Sequence, residues 1–391
     1  MDAARYARLY RNKLLDDVLP FWLNRSPDYE YGGYFTCLDR TGEVYDTDKF
    51  MWLQGREVWV LSKMYRLVRQ EDKYLDVARL GAEFIRDHGF DENGNIYFAL
   101  ERDGKAYANT CIFSDWFCAM GLAEYAAAAN AAWARDLAIR TYKGIQQWLV
   151  DRKDPYCRFI PGVRPMSSLA FDMINVNMSQ ELEMVIGNST FRKYGLASAE
   201  RILNLHVDRK SGLVFDNVAP DGSHPDTFAG RLILPGHALE CLWFLISAGD
   251  AWGRDDIVAA AIDAIPDMLD FGWDEKYGGF FYYRDALGKP PEQLEWDRKL
   301  WWVHGEALVA TLLAYKHTGR SEFAKWFERI HDYTWEHFND DEYGEWFGYL
   351  DRSGEVFLDL KGGKWKGCFH VPRTLYMCWQ LLEQIRGKSN G

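Results

Sequence analysis

The segment GEWFGYLDRSGEVFL, residues 344–358, has the pattern of a short β-hairpin, with an aromatic run leading into a polar turn that ends in glycine. Four other segments share this pattern: GGYFTCLDRTGEVYD from Gly32, GNIYFALERDGKAYA from Gly94, GLVFDNVAPDGSHPD from Gly212 and GGFFYYRDALGKPPE from Gly278. The glycines before the aromatic runs, at 33, 94, 212, 279 and 344, lie 61, 118, 67 and 65 residues apart. The doubled second interval predicts a sixth, disguised unit at residues 152–178.

The stretches between these hairpins carry apolar residues at three- and four-residue spacing, which is typical of helices. Examples are KYLDVARLGAEFIRDHGF, residues 73–90, and FAKWFERIHDYTWEHF, residues 323–338. A unit of this length has room for two helices and one hairpin, so six units predict an all-α (α/α)6 barrel with short β-hairpins in the inter-helix loops. The competing open solenoid uses shorter repeats of about 34–47 residues. With no linker or break in composition, residues 1–391 are predicted to form a single catalytic domain.

Composition narrows the choice of partners. The chain has 46 Lys and Arg against 58 Asp and Glu, a net charge of −12, and no basic tract. Nucleic acid and anionic membranes are therefore unlikely partners. The N-terminus has no apolar signal segment and no apolar run reaches 18 residues, so a cytoplasmic protein is expected. The 17 tryptophans fit either a large aromatic core or a cleft that stacks on sugar rings.

The seven cysteines are scattered and include no Cys-x-x-Cys pair. This spacing favours reduced thiols over disulfides or a zinc site. Cys368, two residues from His370, is left as an alternative nucleophile.

Three histidines recur at matched places in successive units. His237, His304 and His370 follow the turn glycines of their hairpins by 15, 16 and 16 residues, where the loop enters a helix. Equivalent positions of a closed barrel should face one cavity, so these histidines are candidate functional residues. Trp52 and Trp116 stand near that place in the first two units.

The neighbouring residues add charge to this predicted cavity. Glu240 lies one helical turn after His237, where it could hold the second imidazole nitrogen. Glu306 follows His304, and Arg56 lies one turn after Trp52. The candidate substrate contacts are Trp52, Trp116, Arg231, Trp301, His304 and Arg373.

Paired histidines indicate acid/base chemistry near neutral pH. A metal site is the first rival, but no His-x-His or His-Glu-x-x-His spacing supports it. Other rivals are a glycoside hydrolase using acids such as Asp115, Glu240 and Glu306, and a sugar-binding module without catalysis. No phosphate-binding loop supports nucleotide chemistry.

The sequence resembles the N-acylglucosamine 2-epimerase family. The blocks that carry the resemblance are YGGYFTCLDRTGEVYDTDKFMWLQGREVW, NVAPDGSH, GRLILPGHALE, LEWDRKLWWVHGEAL, EYGEWFGYLDR and LKGGKWKGCFHVPR, in this order between residues 8 and 382. The resemblance implies an (α/α)6 barrel, often a homodimer, that interconverts sugars differing at C2, such as N-acetylglucosamine and N-acetylmannosamine.

By the same resemblance, His237 and His370 are the acid/base pair and Arg56 polarises the sugar oxygen at C1 or C2. Glu240 and Glu306 support the histidines or bind the sugar. No cofactor takes part in the chemistry, although ATP activates some members. One position departs from the family: Leu234 stands where relatives have Asn, in Leu-Pro-Gly-His. An epimerase or aldose–ketose isomerase for an unsubstituted sugar such as mannose is therefore the alternative.

Overall fold

The helices fall into two alternating groups. The computed structural model describes residues 1–151 and 162–389. Its α-helices are α1 (Ala3–Asn12), α2 (Leu19–Arg25), α3 (Met51–Leu67), α4 (Asp72–His88), α5 (Ile112–Ala129), α6 (Ala132–Asp151), α7 (Leu169–Ile186), α8 (Thr190–Arg201), α9 (Phe228–Arg231), α10 (Pro235–Trp252), α11 (Asp255–Gly272), α12 (Trp301–Thr318), α13 (Ser321–His337) and α14 (His370–Ser389). π-Helical segments join α1 to α2 (Lys13–Val18) and extend α8 (Ile202–His206).

Helices α3, α5, α7, α10, α12 and α14 form the inner ring, in which each packs on the next. The most central of them are apolar on nearly every side, whereas outer helices such as α4 and α13 bury one face. The inner helices α3 and α5 can pack closely because residue 55 is a glycine. A Cβ at this position would lie only 2.4 Å from the Phe117 carbonyl oxygen. Outer helices α4, α6, α8, α11 and α13 each follow and cover an inner helix, while α1 covers α14. The predicted (α/α)6 barrel is confirmed.

Short strands at one end of the barrel connect neighbouring units. They are β1 (Cys37–Leu38), β2 (Val44–Asp46), β3 (Lys49–Phe50), β4 (Ala99–Leu100), β5 (Ser167–Ser168), β6 (Asn217–Val218), β7 (Leu232–Ile233), β8 (Arg284–Asp285), β9 (Lys299–Leu300), β10 (Tyr349–Leu350) and β11 (Val356–Leu358). Two of the five predicted hairpins form strand pairs, β1–β2 and β10–β11. The pairs β3–β4, β5–β6, β7–β8 and β9–β10 instead join one unit to the hairpin of the next. A single-unit pattern could not predict this pairing.

Three buried ion clusters strengthen these connections. In each, an aspartate at the start of a hairpin accepts hydrogen bonds of 2.8–3.2 Å from a fully buried lysine of its own unit and an arginine of the next unit. We call them the linking clusters: Asp28–Lys49–Arg102, Asp274–Lys299–Arg352 and Asp340–Lys361–Arg40. Because Arg40 belongs to the first unit and Asp340 to the last, the third cluster closes the ring.

The remaining sequence predictions have mixed outcomes. The predicted sixth unit contributes β5 and α7, whereas residues 152–161 and Cys157 lie outside the described residues. The six cysteines that the structure describes are free thiols. One cluster of buried hydrophobic residues runs from Tyr6 to Ile385, and the single-domain division stays a prediction. Within the described ranges, no helix has the length and apolar character needed to cross a membrane.

The ring-closing cluster gives a stability prediction. Lys361→Met should remove one of the two cations that hold the buried Asp340 carboxylate, leaving Arg40 in place, and lower the free energy of unfolding by about 1.5–3 kcal/mol, the size of a hydrogen bond to a charged group. Urea denaturation measures the loss. Lys364→Met, at an exposed position three residues away, is the matched control. Equal denaturation midpoints for the two variants would contradict the assignment.

Candidate active site

In two inner helices, the fourth residue binds the backbone of a neighbouring hairpin. Gln54 and His304 occupy this position in α3 and α12, and each accepts the backbone N–H of a hairpin residue, Tyr34 at 2.7 Å and Phe280 at 3.0 Å. The other ring nitrogen of His304 donates to the Leu300 carbonyl at 2.8 Å. Burial lowers the pKa of His304 to about 3. His304 is thus a neutral structural residue, and the prediction that it binds substrate is wrong.

His237 lies in the first turn of α10, at the same distance from the end of its strand as His304. Unlike His304, it does not hold the backbone N–H of a hairpin. The local hairpin N–H, on Val214, meets the sulfur of Met268 instead. The Nδ1 atom of His237 lies 2.9 Å from Asp216 Oδ1, and the side chain is 28% exposed. Nε2 is therefore available for chemistry. Burial alone would lower the pKa of His237, but the hydrogen bond and the negative charge of Asp216 outweigh it and raise the pKa.

His370 begins α14 and is held in a comparable way by a different carboxylate. Its Nδ1 lies 2.8 Å from Glu306 Oε1, and the other oxygen of Glu306 accepts from Trp243 Nε1 at 2.7 Å. Burial and the nearby cations Arg56 and Arg373 hold the pKa of His370 well below its usual range. The pKa of His370 is thus shifted towards the neutral imidazole and that of His237 towards the imidazolium.

Arg373 joins two acidic residues beneath His370. One terminal nitrogen donates to Glu240 and, at 2.7 Å, to Glu306. Glu240 therefore pairs with Arg373, and the prediction that it holds the imidazole of His237 is wrong; Asp216 does so. Glu240, Glu306 and His370 converge within 4.8 Å, as metal ligands would. The guanidinium of Arg373 already supplies a positive charge to this group.

One indole lies beside both catalytic candidates. The ring of Trp302 is 5.4 Å from that of His237 and 5.8 Å from that of His370. Its neighbour Trp301, predicted to bind substrate, is buried against Tyr349 at 5.2 Å. The ring of Trp301 also lies 6.3 Å from that of His370, and its contact with substrate stays a prediction.

Arg56 is a buried cation without a carboxylate partner among the described residues. Its guanidinium lies over the rings of Phe117, Trp52 and Phe369 at 3.8, 4.5 and 4.6 Å, and its Nε has no hydrogen-bond partner there. Burial lowers the pKa of Arg56 to about 9, although the charge of Glu240 opposes this shift. A buried, unpaired guanidinium is suited to an oxygen of a ligand. Trp52 remains a candidate contact beside it.

Two further predicted contacts have structural roles. Trp116 is fully buried and stacks on Phe171 at 6.0 Å. Arg231 is paired with Asp285 at 2.8 Å and with Asp226. Both side chains are therefore engaged in structural contacts, and substrate binding by either stays a prediction.

The carboxylates do not form a glycosidase pair. Asp115 accepts the backbone N–H of Ile96 at 2.7 Å, and Glu240 and Glu306 share one arginine. Glycosidases need two carboxyl groups about 5–9.5 Å apart across a bond. What the site offers instead is two imidazoles, each with Nδ1 held by a carboxylate, beside an unpaired cation.

A helical barrel with this histidine pair defines a class of protein, the carbohydrate epimerases, which are isomerases. The model of the family "N-acylglucosamine 2-epimerase (GlcNAc 2-epimerase)" matches residues 33–372, and the chain belongs to that family.

The comparisons with single proteins agree. The chain is 40% identical over 385 residues to the N-acylglucosamine 2-epimerase of Bos taurus, covering 95% of this chain and 90% of that one. The structure resembles cellobiose 2-epimerase from Bacillus thermoamylovorans B4167, with a TM-score of 0.84, 21% identity and coverage of 97% and 99%. It also resembles a D-mannose isomerase, with a TM-score of 0.80, 17% identity and coverage of 98% of each chain. At these identities the two structures show the shared fold.

The carboxylate beside His237 gives a testable electrostatic prediction. Asp216→Asn should keep the shape of the site but remove the charge that opposes burial, so the pKa of His237 should fall. NMR titration of labelled histidine measures it. Asp221→Asn, in an exposed turn, is the control and should leave the titration unchanged. An unchanged His237 in Asp216→Asn would show that Asp216 does not set its charge.

Proposed function

We propose that this enzyme interconverts N-acetylglucosamine and N-acetylmannosamine by moving a proton at C2 between two histidines. The observation that carries the proposal is the pair of imidazoles beside Trp302, each with its Nδ1 held by a carboxylate. The raised pKa of His237 and the lowered pKa of His370 agree with one proton donor and one proton acceptor, which inversion at a carbon next to a carbonyl requires. The names of the most similar relatives support the choice of sugars.

In the proposed mechanism the open-chain aldehyde is the reacting form, because its carbonyl makes the C2 hydrogen acidic. The neutral Nε2 of His370 removes this proton while Nδ1–H donates to Glu306. The electron pair of the C2–H bond moves towards the carbonyl and gives an enolate. The Nε2–H of His237 then protonates C2 on the opposite face. Each imidazole finishes with the proton state that the reverse reaction needs.

Arg56 is the proposed partner of the enolate oxygen. Its guanidinium lies in a dry aromatic environment, where a fixed cation stabilises developing negative charge more strongly than in water. Because no carboxylate of the described residues neutralises Arg56, its charge is available to the transition state.

Leu234 bears on the choice of sugar. It is the N-cap residue of α10, its side chain makes no capping hydrogen bond, and it is 5% exposed. An Asn at this position is suited to capping the helix, which Leu cannot do. The substitution therefore changes the capping of α10, and we propose that it acts there and not on recognition of the N-acetyl group. Activation by ATP, a homodimer and a cytoplasmic location stay predictions.

Removal of either histidine tests the pair. His237→Ala and His370→Ala should fold but lose about 10²–10⁴-fold in turnover, the contribution of a positioned acid or base. Coupled assay of N-acetylmannosamine formation measures the loss, and circular dichroism checks the fold. His317→Ala, at the exposed end of α12, should keep wild-type turnover. Near-normal turnover in either site variant would exclude that histidine from proton transfer.

Solvent deuterium tests the mechanism directly. In D₂O, product formed at early times should carry deuterium at C2, because the histidine that returns the proton exchanges with solvent. NMR of incubations with N-acetylmannosamine, mannose and glucose gives both isotope content and substrate choice. Product that keeps protium at C2 after one turnover rules out two separate bases. Accumulation of a ketose from mannose would identify an aldose–ketose isomerase instead.

A further inference from the structure

Glu57 is a fully buried carboxyl group that no cation of the described residues pairs with. It follows Arg56 in the inner helix α3 and takes no part in the proposed reaction. Its Oε1 atom contacts the hydroxyl of Ser26, and its Oε2 atom has no hydrogen-bond partner in the part of the chain that the structure describes. A carboxylate ion in such a place costs far more free energy than a neutral carboxylic acid does.

The hydrogen bonds of Ser26 also indicate a proton on Glu57. Ser26 is the C-cap residue of α2, and its hydroxyl lies 2.9 Å from the Trp22 carbonyl oxygen while it contacts Glu57 Oε1. A hydroxyl has one hydrogen, and a carbonyl oxygen can only accept. Both contacts are satisfied when Glu57 donates to Ser26 and Ser26 donates to Trp22. An ionised Glu57 would leave one of the two contacts without a hydrogen.

The surroundings of Glu57 supply no charge that would favour its ionised form. Two titratable groups of neighbouring elements face it, Tyr34 on the first hairpin and Cys368 in the segment before α14, and burial raises the pKa of both well above its usual value. The cation of that segment, Lys366, is bonded to Glu345 at 3.0 Å. With no charged partner among the described residues, burial raises the pKa of Glu57 to about 8.

We propose that Glu57 is a neutral carboxylic acid that fastens α3, the helix of Arg56, to the end of α2, and that loss of its proton sets the alkaline limit of the fold. The first hairpin belongs to the same junction, because the Phe35 N–H donates to the Ser26 carbonyl at 2.6 Å. When Glu57 ionises, the Ser26 hydrogen turns to the carboxylate and leaves Trp22, and the new charge has no cation.

The direction of the pH dependence follows from the two pKa values of Glu57. The unfolded chain releases the proton near the ordinary value of 4.5, whereas the folded protein holds it up to about 8. The contribution of the neutral acid to stability is therefore complete below about pH 4.5 and is lost as the pH rises to about 8.

Urea denaturation of the wild type and of Glu57→Gln tests the proposal. The amide of Gln can donate to Ser26 as the acid does, but it cannot ionise. Between about pH 6 and about pH 9 the unfolding constant of the wild type should rise, relative to that of Glu57→Gln, on the order of 10²-fold. Other titrating groups are common to both proteins and cancel in this ratio. Glu92→Gln, at an exposed position, is the control and should follow the wild type. A constant ratio between the wild type and Glu57→Gln would overturn the proposal.

Carbon-13 NMR of the wild type, labelled at the glutamate carboxyl groups, tests the same point without a variant. The signal assigned to Glu57 through its proximity to Ser26 should titrate near pH 8. A Glu57 signal that titrates near the ordinary value for glutamate would overturn the proposal. Neither measurement uses sugar turnover, so failure of the epimerase proposal would not affect the result.

Discussion

The buried aspartate of each linking cluster is the constraint on which the barrel depends. Burial alone would raise the pKa of Asp28, but hydrogen bonds from Arg102 and Lys49 outweigh burial and lower the pKa to about 2. The carboxylate is therefore charged at neutral pH and must keep both cations. Since one cation comes from the same unit and the other from the next, satisfying the charge fixes the angle between neighbouring units. A buried ion pair contributes more to such specificity than to net stability.

The consequence of this geometry is seen where the inner helices begin. The strands that carry the linking lysines, such as β3 and β9, lead directly into α3 and α12. Each inner helix thus starts at a fixed height and rotation, and its fourth residue meets the hairpin backbone. Gln54 and His304 make that contact, so their acceptor atoms are not available to a ligand. A functional side chain at this register requires that the hairpin N–H be satisfied elsewhere, and Met268 does this beside His237.

The sequence predicts the architecture well because each feature of the repeat lies within a short stretch of the chain. These features are the aromatic runs, the turns that end in glycine and the helical spacing of apolar residues. The sequence also predicts that His237, His370 and Glu306 face one cavity, and the structure brings them together beside Trp302, while their catalytic roles stay predictions. His304, by contrast, binds backbone through both ring nitrogens. Equal spacing along the chain identifies equal register, and register alone does not distinguish a ring nitrogen that binds backbone from one that is free. Asp216 could not be found from spacing either, because it reaches His237 from a hairpin 21 residues earlier. The sequence indicates Asp216 in one way only, as the charged residue that follows the apolar run GLVF.

The opposite charge preferences of the two histidines follow from how their carboxylates are neutralised. Asp216 faces His237 with no ion pair to a Lys or Arg among the described residues, so its full charge favours the imidazolium. Glu306 also receives Arg373 and Trp243, and its charge is therefore shared before it reaches His370. The same contact, a carboxylate 2.8–2.9 Å from Nδ1, thus accompanies a raised pKa at His237 and a lowered pKa at His370. Burial and the cations Arg56 and Arg373 lower the pKa of His370, so equivalent helices of the barrel hold two histidines of opposite charge preference.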